Sequence, residues 1–123
     1  MTAATSPKVL AFDVFGTVVD WRTSVIREST AFLAQIGRAD VDAAEFSDTW
    51  RFRYIDVMRA FRESGRCFVT LDVLHREMLE QTLRTIDIDP GGLDKDLLEQ
   101  WTRAWHRLDP WPDAGAGLAR LKI

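Results

Sequence analysis

The sequence predicts an α/β fold in which one short buried strand precedes a long series of helices. The run at residues 9–12 is continuously apolar, as in a strand buried on both faces of a parallel sheet. From residue 21 to residue 108 the apolar side chains recur at helical spacing. The segment Asp-Pro-Trp-Pro-Asp at residues 109–113 then forms a rigid connector to a last short helix.

Caps and breakers divide the helical region. Asp42, with Glu45 three residues later, resembles a capping box, and Asp20 is predicted to cap the first helix or to fix the hinge before it. The first three predicted helices end at Gly37, at Ser64-Gly65 and at the Asp-Pro-Gly-Gly segment of residues 89–92. A fourth helix is predicted over residues 97–108, and a fifth passes through Leu118 and Leu121.

A single buried strand cannot satisfy its own backbone hydrogen-bonding groups. We therefore expect that only the first strand and a returning helix of the sheet domain are present here. A second strand could begin at Ile123, and most of the sheet is expected downstream of that residue.

The composition is that of an ordinary globular domain, with 46% hydrophobic and 28% charged residues among 123. A net charge of -3 and scattered basic residues argue against a nucleic-acid partner. The single cysteine, Cys67, cannot form an internal disulfide, and no apolar run reaches the roughly 20 residues that a membrane helix needs. Residues 1–7 lack a secretory core, so we expect a soluble cytoplasmic protein.

His75 and His106 have no partner at metal-ligand spacing and are predicted to lie at the surface or its boundary.

The segment Phe-Asp-Val-Phe-Gly-Thr-Val-Val-Asp, residues 12–20, carries the chemistry. Asp13 stands at the end of the predicted strand, where ligands of open α/β sheets bind. Gly16 permits a sharp turn, and the free backbone N–H groups of such a turn would keep the carboxylate ionised. An ionised, partly desolvated carboxylate is a competent nucleophile. The alternative is that Asp13 only caps the turn.

This segment resembles the first motif of the haloacid dehalogenase superfamily. The resemblance implies a Rossmannoid core with an inserted α-helical cap domain: residues 1–20 start the core, 21–108 form the cap, and 109–123 return to the core. Phosphatases of the superfamily carry a second Asp two residues after the nucleophile, as general acid and magnesium ligand. Here that residue is Phe15, which offers no oxygen ligand. The metal-independent L-2-haloacid dehalogenases have an aromatic residue there.

Trp50-Arg51 is similar to a Trp-Arg element of the L-2-haloacid dehalogenases, whose arginine receives the departing halide. A guanidinium, always charged, suits that role, although most arginines simply face solvent. Phe68 resembles a family aromatic that lines the substrate pocket, and it could equally pack the cap.

The resemblance implies that Asp13 displaces the halogen of a short 2-haloalkanoic acid, and that water cleaves the aspartyl ester to a 2-hydroxy acid. Val14, Phe15, Thr17, Arg51 and Phe68 would bind the substrate. No metal or organic cofactor is implied. The partners would be the haloacid and halide, with homodimerisation through cap helices. The family's downstream Ser/Thr, lysine and acidic or Asn groups are not found in the 123 residues, so this segment alone is expected to be incomplete for turnover. The alternatives are a magnesium-dependent phosphatase or phosphonatase-like hydrolase of the superfamily, and a truncated, non-catalytic helical interaction module.

Overall fold

The computed structural model describes residues 5–122, most of which are helical; the strand predicted to begin at Ile123 lies outside this range. Within this range, five α-helices, two short strands and two 3-10 turns follow one another. In order they are β1 (Val19–Asp20), α1 (Trp21–Gln35), α2 (Ala43–Glu63), α3 (Leu71–Thr85), a 3-10 turn (Pro90–Gly92), α4 (Lys95–Thr102), a 3-10 turn (Arg103–His106), β2 (Asp109–Pro110) and α5 (Ala114–Leu121). None of the helices in residues 5–122 combines the length and the apolar character needed to cross a bilayer.

Local capping explains where the helices begin. The Asp20 carboxylate accepts a hydrogen bond from the Thr23 amide at 3.1 Å, so the prediction that Asp20 caps α1 is confirmed. The Asp42 carboxylate accepts hydrogen bonds from the amides of Ala44 and Glu45 at 2.8 and 3.1 Å. These bonds satisfy amides that have no partner inside the helix.

The end of α1 is a Schellman motif. Gly37 has a positive φ of 76°, its amide donates to the Ala34 carbonyl at 3.1 Å, and the Arg38 amide donates to the Leu33 carbonyl at 2.8 Å. Gly65 likewise has a positive φ, of 66°, just beyond α2. The stops predicted at Gly37 and at Ser64-Gly65 are therefore confirmed.

Two elements differ from the predictions. Residues 9–12 form no strand, and the Val9 side chain is 82% exposed, because no neighbouring strand within residues 5–122 pairs with their backbone groups. The fourth helix is α-helical only as far as Thr102 and then tightens into the 3-10 turn at Arg103–His106, a common ending for an α-helix. This turn buries Ala104 and Trp105.

Strands β1 and β2 form an antiparallel pair that joins the two ends of the helical region. Val19 lies opposite Pro110, and Asp20 lies opposite Asp109. The Trp111 amide extends the pair by donating to the Val18 carbonyl at 3.0 Å. The chain therefore enters α1 and leaves the helical region at adjacent points.

The core lies between α1, α2, α3 and α4 and is rich in tryptophan. Trp50 and Trp101 are completely buried, yet both indole N–H groups have partners. The Trp50 indole donates to the His75 carbonyl at 3.0 Å, and the Trp101 indole donates to the Ser29 hydroxyl at 3.2 Å. The other fully or almost fully buried apolar side chains are Val25, Leu33, Phe46, Leu74, Met78, Leu79, Leu83, Leu98, Ala104 and Trp105.

We predict that Ser29→Ala lowers the free energy of unfolding by about 2 kcal/mol, because it leaves the buried Trp101 indole N–H without an acceptor. Urea unfolding measures the change. Ser47→Ala is the matched control, since Ser47 is equally buried but its hydroxyl bonds only to the Ala43 carbonyl of its own helix. Equal losses in the two variants would contradict the prediction.

Candidate active site

The turn that follows Asp13 is closed by its own backbone. The amides of Thr17 and Val18 donate to the Val14 carbonyl at 3.2 and 2.9 Å, and the Gly16 amide donates to the Val19 carbonyl at 2.9 Å. Gly16 has a positive φ of 88°, which a residue with a side chain rarely adopts. We refer to residues 13–18 as the motif turn.

The Asp13 carboxylate is exposed and is held by a hydroxyl group. Thr17 Oγ1 donates to Asp13 Oδ2 at 2.7 Å. The expectation that backbone amides of the turn hold this carboxylate is wrong for Gly16 and Thr17, because both amides are used to close the turn. Within residues 5–122, Asp13 Oδ1 accepts no hydrogen bond and the amides of Val14 and Phe15 donate none.

The returning connector supports the motif turn from outside. The Trp111 indole donates to the Gly16 carbonyl at 3.0 Å, and the Trp111 amide donates to the Val18 carbonyl at 3.0 Å. Two hydrogen bonds from one residue of the connector thus fix the turn relative to the helical region. The prediction that residues 109–113 form a rigid connector did not include this contact.

Arg51 lies beside the motif turn, in a cage of aromatic rings. Its Cζ atom is 4.8 Å from the ring centroid of Tyr54, 5.6 Å from that of Phe15 and 5.9 Å from that of Trp21. These distances are those of cation–π contacts. Within residues 5–122, the Arg51 guanidinium forms no hydrogen bond or ion pair, so its charge is not neutralised there by a carboxylate.

Helix geometry explains this position of Arg51. Trp50 is completely buried, and Arg51 is turned about 100° away from it around α2. Arg51 is therefore half-buried at the border of the apolar face, as the spacing predicted. Phe15 reaches the same place from the motif turn, so the structure brings these two predicted site residues together.

Trp105 connects this cage to the helical core. Its ring stacks on His75 with centroids 4.8 Å apart and on Trp21 at 6.0 Å, and it meets Phe15 edge to face at 5.7 Å. His75 is 3% exposed, so the prediction of a surface or boundary histidine is wrong for this residue. It holds for His106, which is exposed and contacts Asp72 at 2.7 Å.

Comparison with known proteins shows which proteins this chain resembles in sequence and fold. The crystal structure of a defluorinating L-2-haloacid dehalogenase superposes with a TM-score of 0.83 and 47% identity over 89% of this chain. The crystal structure of a second L-2-haloacid dehalogenase superposes with a TM-score of 0.76 and 40% identity, also over 89% of this chain. The (S)-2-haloacid dehalogenase of Xanthobacter autotrophicus is 28% identical over 114 residues, 93% of this chain. The chain is similar to the L-2-haloacid dehalogenases. No family model matches it.

The chain spans 41% to 46% of the length of these dehalogenases. The resemblance predicted from the first motif and from Trp50-Arg51 is confirmed, and with it the fold class, a partial core joined to a helical cap. The roles of the individual residues stay predictions.

Not every predicted site residue lies in this group. Phe68 is 87% exposed in the segment between α2 and α3, and its assignment to a substrate pocket stays a prediction. The sequence motifs did not predict Trp21, Tyr54 or Trp105 as site residues. Tyr54 could have been found from its position three residues after Arg51, on the same side of α2. In the described part of the chain, no three His, Cys, Asp or Glu side chains are grouped closely enough to hold a metal ion.

Burial lowers the pKa of His75 from 6.5 to about 4; Asp72 acts in the opposite direction, and Arg51 and His106 lower it further. In the folded protein His75 Nδ1 is also buried without a hydrogen-bond partner. Protonation of this ring is therefore unfavourable while the chain is folded.

We predict that the free energy of unfolding falls as the pH falls from 6.5 to about 4, because the unfolded chain protonates His75 in this range and the folded chain does not. The contribution reaches about 3 kcal/mol at the acid end. Urea unfolding at pH 7 and pH 4.5 should show a smaller loss in His75→Phe, which keeps a ring on Trp105. His106→Phe is the control. The same pH dependence in wild type and His75→Phe would contradict the attribution of this stability loss to His75.

Proposed function

We propose that this segment carries the nucleophile and the halide-receiving arginine of a hydrolytic 2-haloacid dehalogenase that acts on short 2-haloalkanoic acids. One observation carries the proposal. Asp13 and Phe15 belong to the same turn, and the Phe15 ring lies 5.6 Å from the guanidinium of an Arg51 that no carboxylate neutralises in residues 5–122. A nucleophilic carboxylate and an uncompensated cation thus adjoin one turn.

The proposed first step is a displacement at carbon. An oxygen of Asp13 forms a bond to C2 of the substrate while the carbon–halogen bond breaks, with inversion at C2, and the halide leaves toward Arg51. Water then attacks the aspartyl ester, which restores the carboxylate and releases a 2-hydroxy acid and a proton. Thr17 binds Oδ2, so Oδ1 is the oxygen that the structure leaves available for attack.

Phe15 supports the dehalogenase over a magnesium-dependent phosphatase. Its ring lies against Trp105 and Arg51, and it has no oxygen that could bind magnesium or donate a proton. A cation such as Arg51 suits a departing halide, which carries a single negative charge. The three relatives are all haloacid dehalogenases, and one is defluorinating. Val14 and Thr17 would contact the substrate from the turn, while Phe68 would have to approach from the cap.

The helical region from residue 21 to residue 108 is proposed as the cap of this enzyme, with residues 1–20 and 109–123 belonging to the core. The pairing of β1 with β2 supports this division. It places the point where the chain enters the helical region beside the point where the chain leaves it. Closing such a cap would exclude water from the displacement and strengthen the attraction between Arg51 and the halide.

We expect Asp13→Asn to lower halide release from 2-chloropropionate at least a thousandfold, because an amide is a poor nucleophile. The assay uses a protein of the relatives' length that contains this segment. Asp113→Asn is the control, since Asp113 is exposed and makes no side-chain capping bond. During turnover of the wild type, mass spectrometry should find an adduct on the peptide that contains Asp13. Undiminished turnover by Asp13→Asn would exclude the mechanism.

We expect Arg51→Leu to lower kcat for the same substrate about a hundredfold, the effect of losing one charge-stabilising group from a transition state. Arg51→Lys should retain part of the activity, because it keeps the charge but loses the planar donors. Arg62→Leu is the matched control on the same helix, in the exposed last turn of α2. Equal rates for Arg51→Leu and Arg62→Leu would refute the assignment of Arg51.

A further inference from the structure

We propose that Tyr54 and Trp21 are positioning residues, which hold the Arg51 guanidinium beside the motif turn so that its N–H groups can bind a halide. The proposal rests on the function proposed above, because it describes how Arg51 is prepared to receive the leaving group. The sequence motifs did not assign this role to either residue.

The three rings around Arg51 come from three different elements. Tyr54 lies on α2, three residues after Arg51, with its ring centroid 4.8 Å from the Arg51 Cζ atom. Trp21 is the first residue of α1, and Phe15 belongs to the motif turn. The position of the guanidinium therefore depends on the relative placement of the turn and both helices.

Aromatic rings can place a guanidinium without neutralising it. A nearby arginine shows the alternative: Arg22 binds both oxygens of Asp48 at 2.9 and 3.0 Å, which pairs its charge and uses two of its donors. Such a pair would compete with a halide for Arg51. A ring attracts the cation through its electron-rich face and accepts no strong N–H bond, so the donors remain available.

The start of α1 fixes Trp21. Asp20 caps the helix immediately before it, and the Trp21 ring stacks on Trp105 with centroids 6.0 Å apart. On the other side, the Trp21 indole lies 3.8 Å from the position that a Cβ on Gly16 would occupy. Trp21 thus lies between Trp105 and the motif turn, so its ring is held from both sides.

The ligand class follows from this setting. The half-buried guanidinium keeps one uncompensated positive charge among apolar rings, so it favours a small anion of single charge and weak hydration. Bromide fits this description and is a product of the proposed reaction. Sodium bromide is therefore the probe, and its binding can be measured without enzymatic turnover.

The test measures bromide binding to the 123-residue chain by NMR, following the Arg51 Nε–H and Trp21 indole signals at constant ionic strength. Tyr54→Leu should raise the dissociation constant about fivefold, the effect of one lost cation–π contact, whereas Tyr54→Phe should stay within about twofold. Phe52→Leu is the matched control, because Phe52 follows Arg51 directly but is 66% exposed and outside the cage.

A double-mutant cycle separates positioning from a general structural effect. In an Arg51→Leu background, Tyr54→Leu should no longer change bromide affinity, because the group that Tyr54 positions is gone. If Tyr54→Leu does not fold, Trp21→Leu and Trp21→Phe provide the same comparison. The proposal is overturned if the wild type binds no bromide, if Tyr54→Leu binds as tightly as Phe52→Leu, or if its effect persists without Arg51.

The outcome can be separated from that of the proposed function. If bromide binding depends on Tyr54 while the longer protein releases no halide from 2-haloacids, the cage is supported and the dehalogenase proposal fails. If halide is released but Tyr54→Leu affects neither bromide affinity nor the Michaelis constant, the enzyme stands and the positioning role is overturned.

Discussion

The charge of Arg51 is the constraint on which the rest of the site depends. A half-buried guanidinium normally finds a carboxylate, because an uncompensated charge away from water is costly. Here three aromatic rings surround it instead, and in residues 5–122 no acidic side chain pairs with it. The attraction of the rings offsets part of the lost hydration and leaves the charge available to an anion.

This arrangement requires rigid support, because cation–π attraction depends on where the rings lie. Trp105 supplies much of it by contacting Phe15, Trp21, Trp50 and His75 from a single position. The support has a cost, since His75 Nδ1 and the Trp105 indole nitrogen are both buried without hydrogen-bond partners. Unsatisfied polar atoms of this kind are rare in folded proteins. Here they lie directly behind the cage.

Local signals predicted the helices well, because capping acts over three or four residues. Asp20, Asp42 and Gly37 each do what their residue types suggested. These local signals could not predict contacts between residues that are distant in the sequence. Nothing near His75 in the sequence indicates that Trp105, thirty residues later, will cover it, and the 3-10 turn that buries Trp105 has no distinct spacing. At residues 9–12 a local signal predicted a strand that the structure does not contain. The apolar run has no neighbouring strand to pair with in residues 5–122.

The same distinction applies to the site. Asp13, Phe15 and Arg51 could be selected from motifs, but the way Asp13 is held could not. The amides of Gly16, Thr17 and Val18 close the motif turn, and the Asp13 carboxylate takes its hydrogen bond from the Thr17 hydroxyl instead. One donor orients a carboxylate through one oxygen, whereas several amides would engage both oxygens and reduce their nucleophilicity. The closed turn thus holds the Asp13 carboxylate through Oδ2 and leaves Oδ1 without a hydrogen bond in residues 5–122.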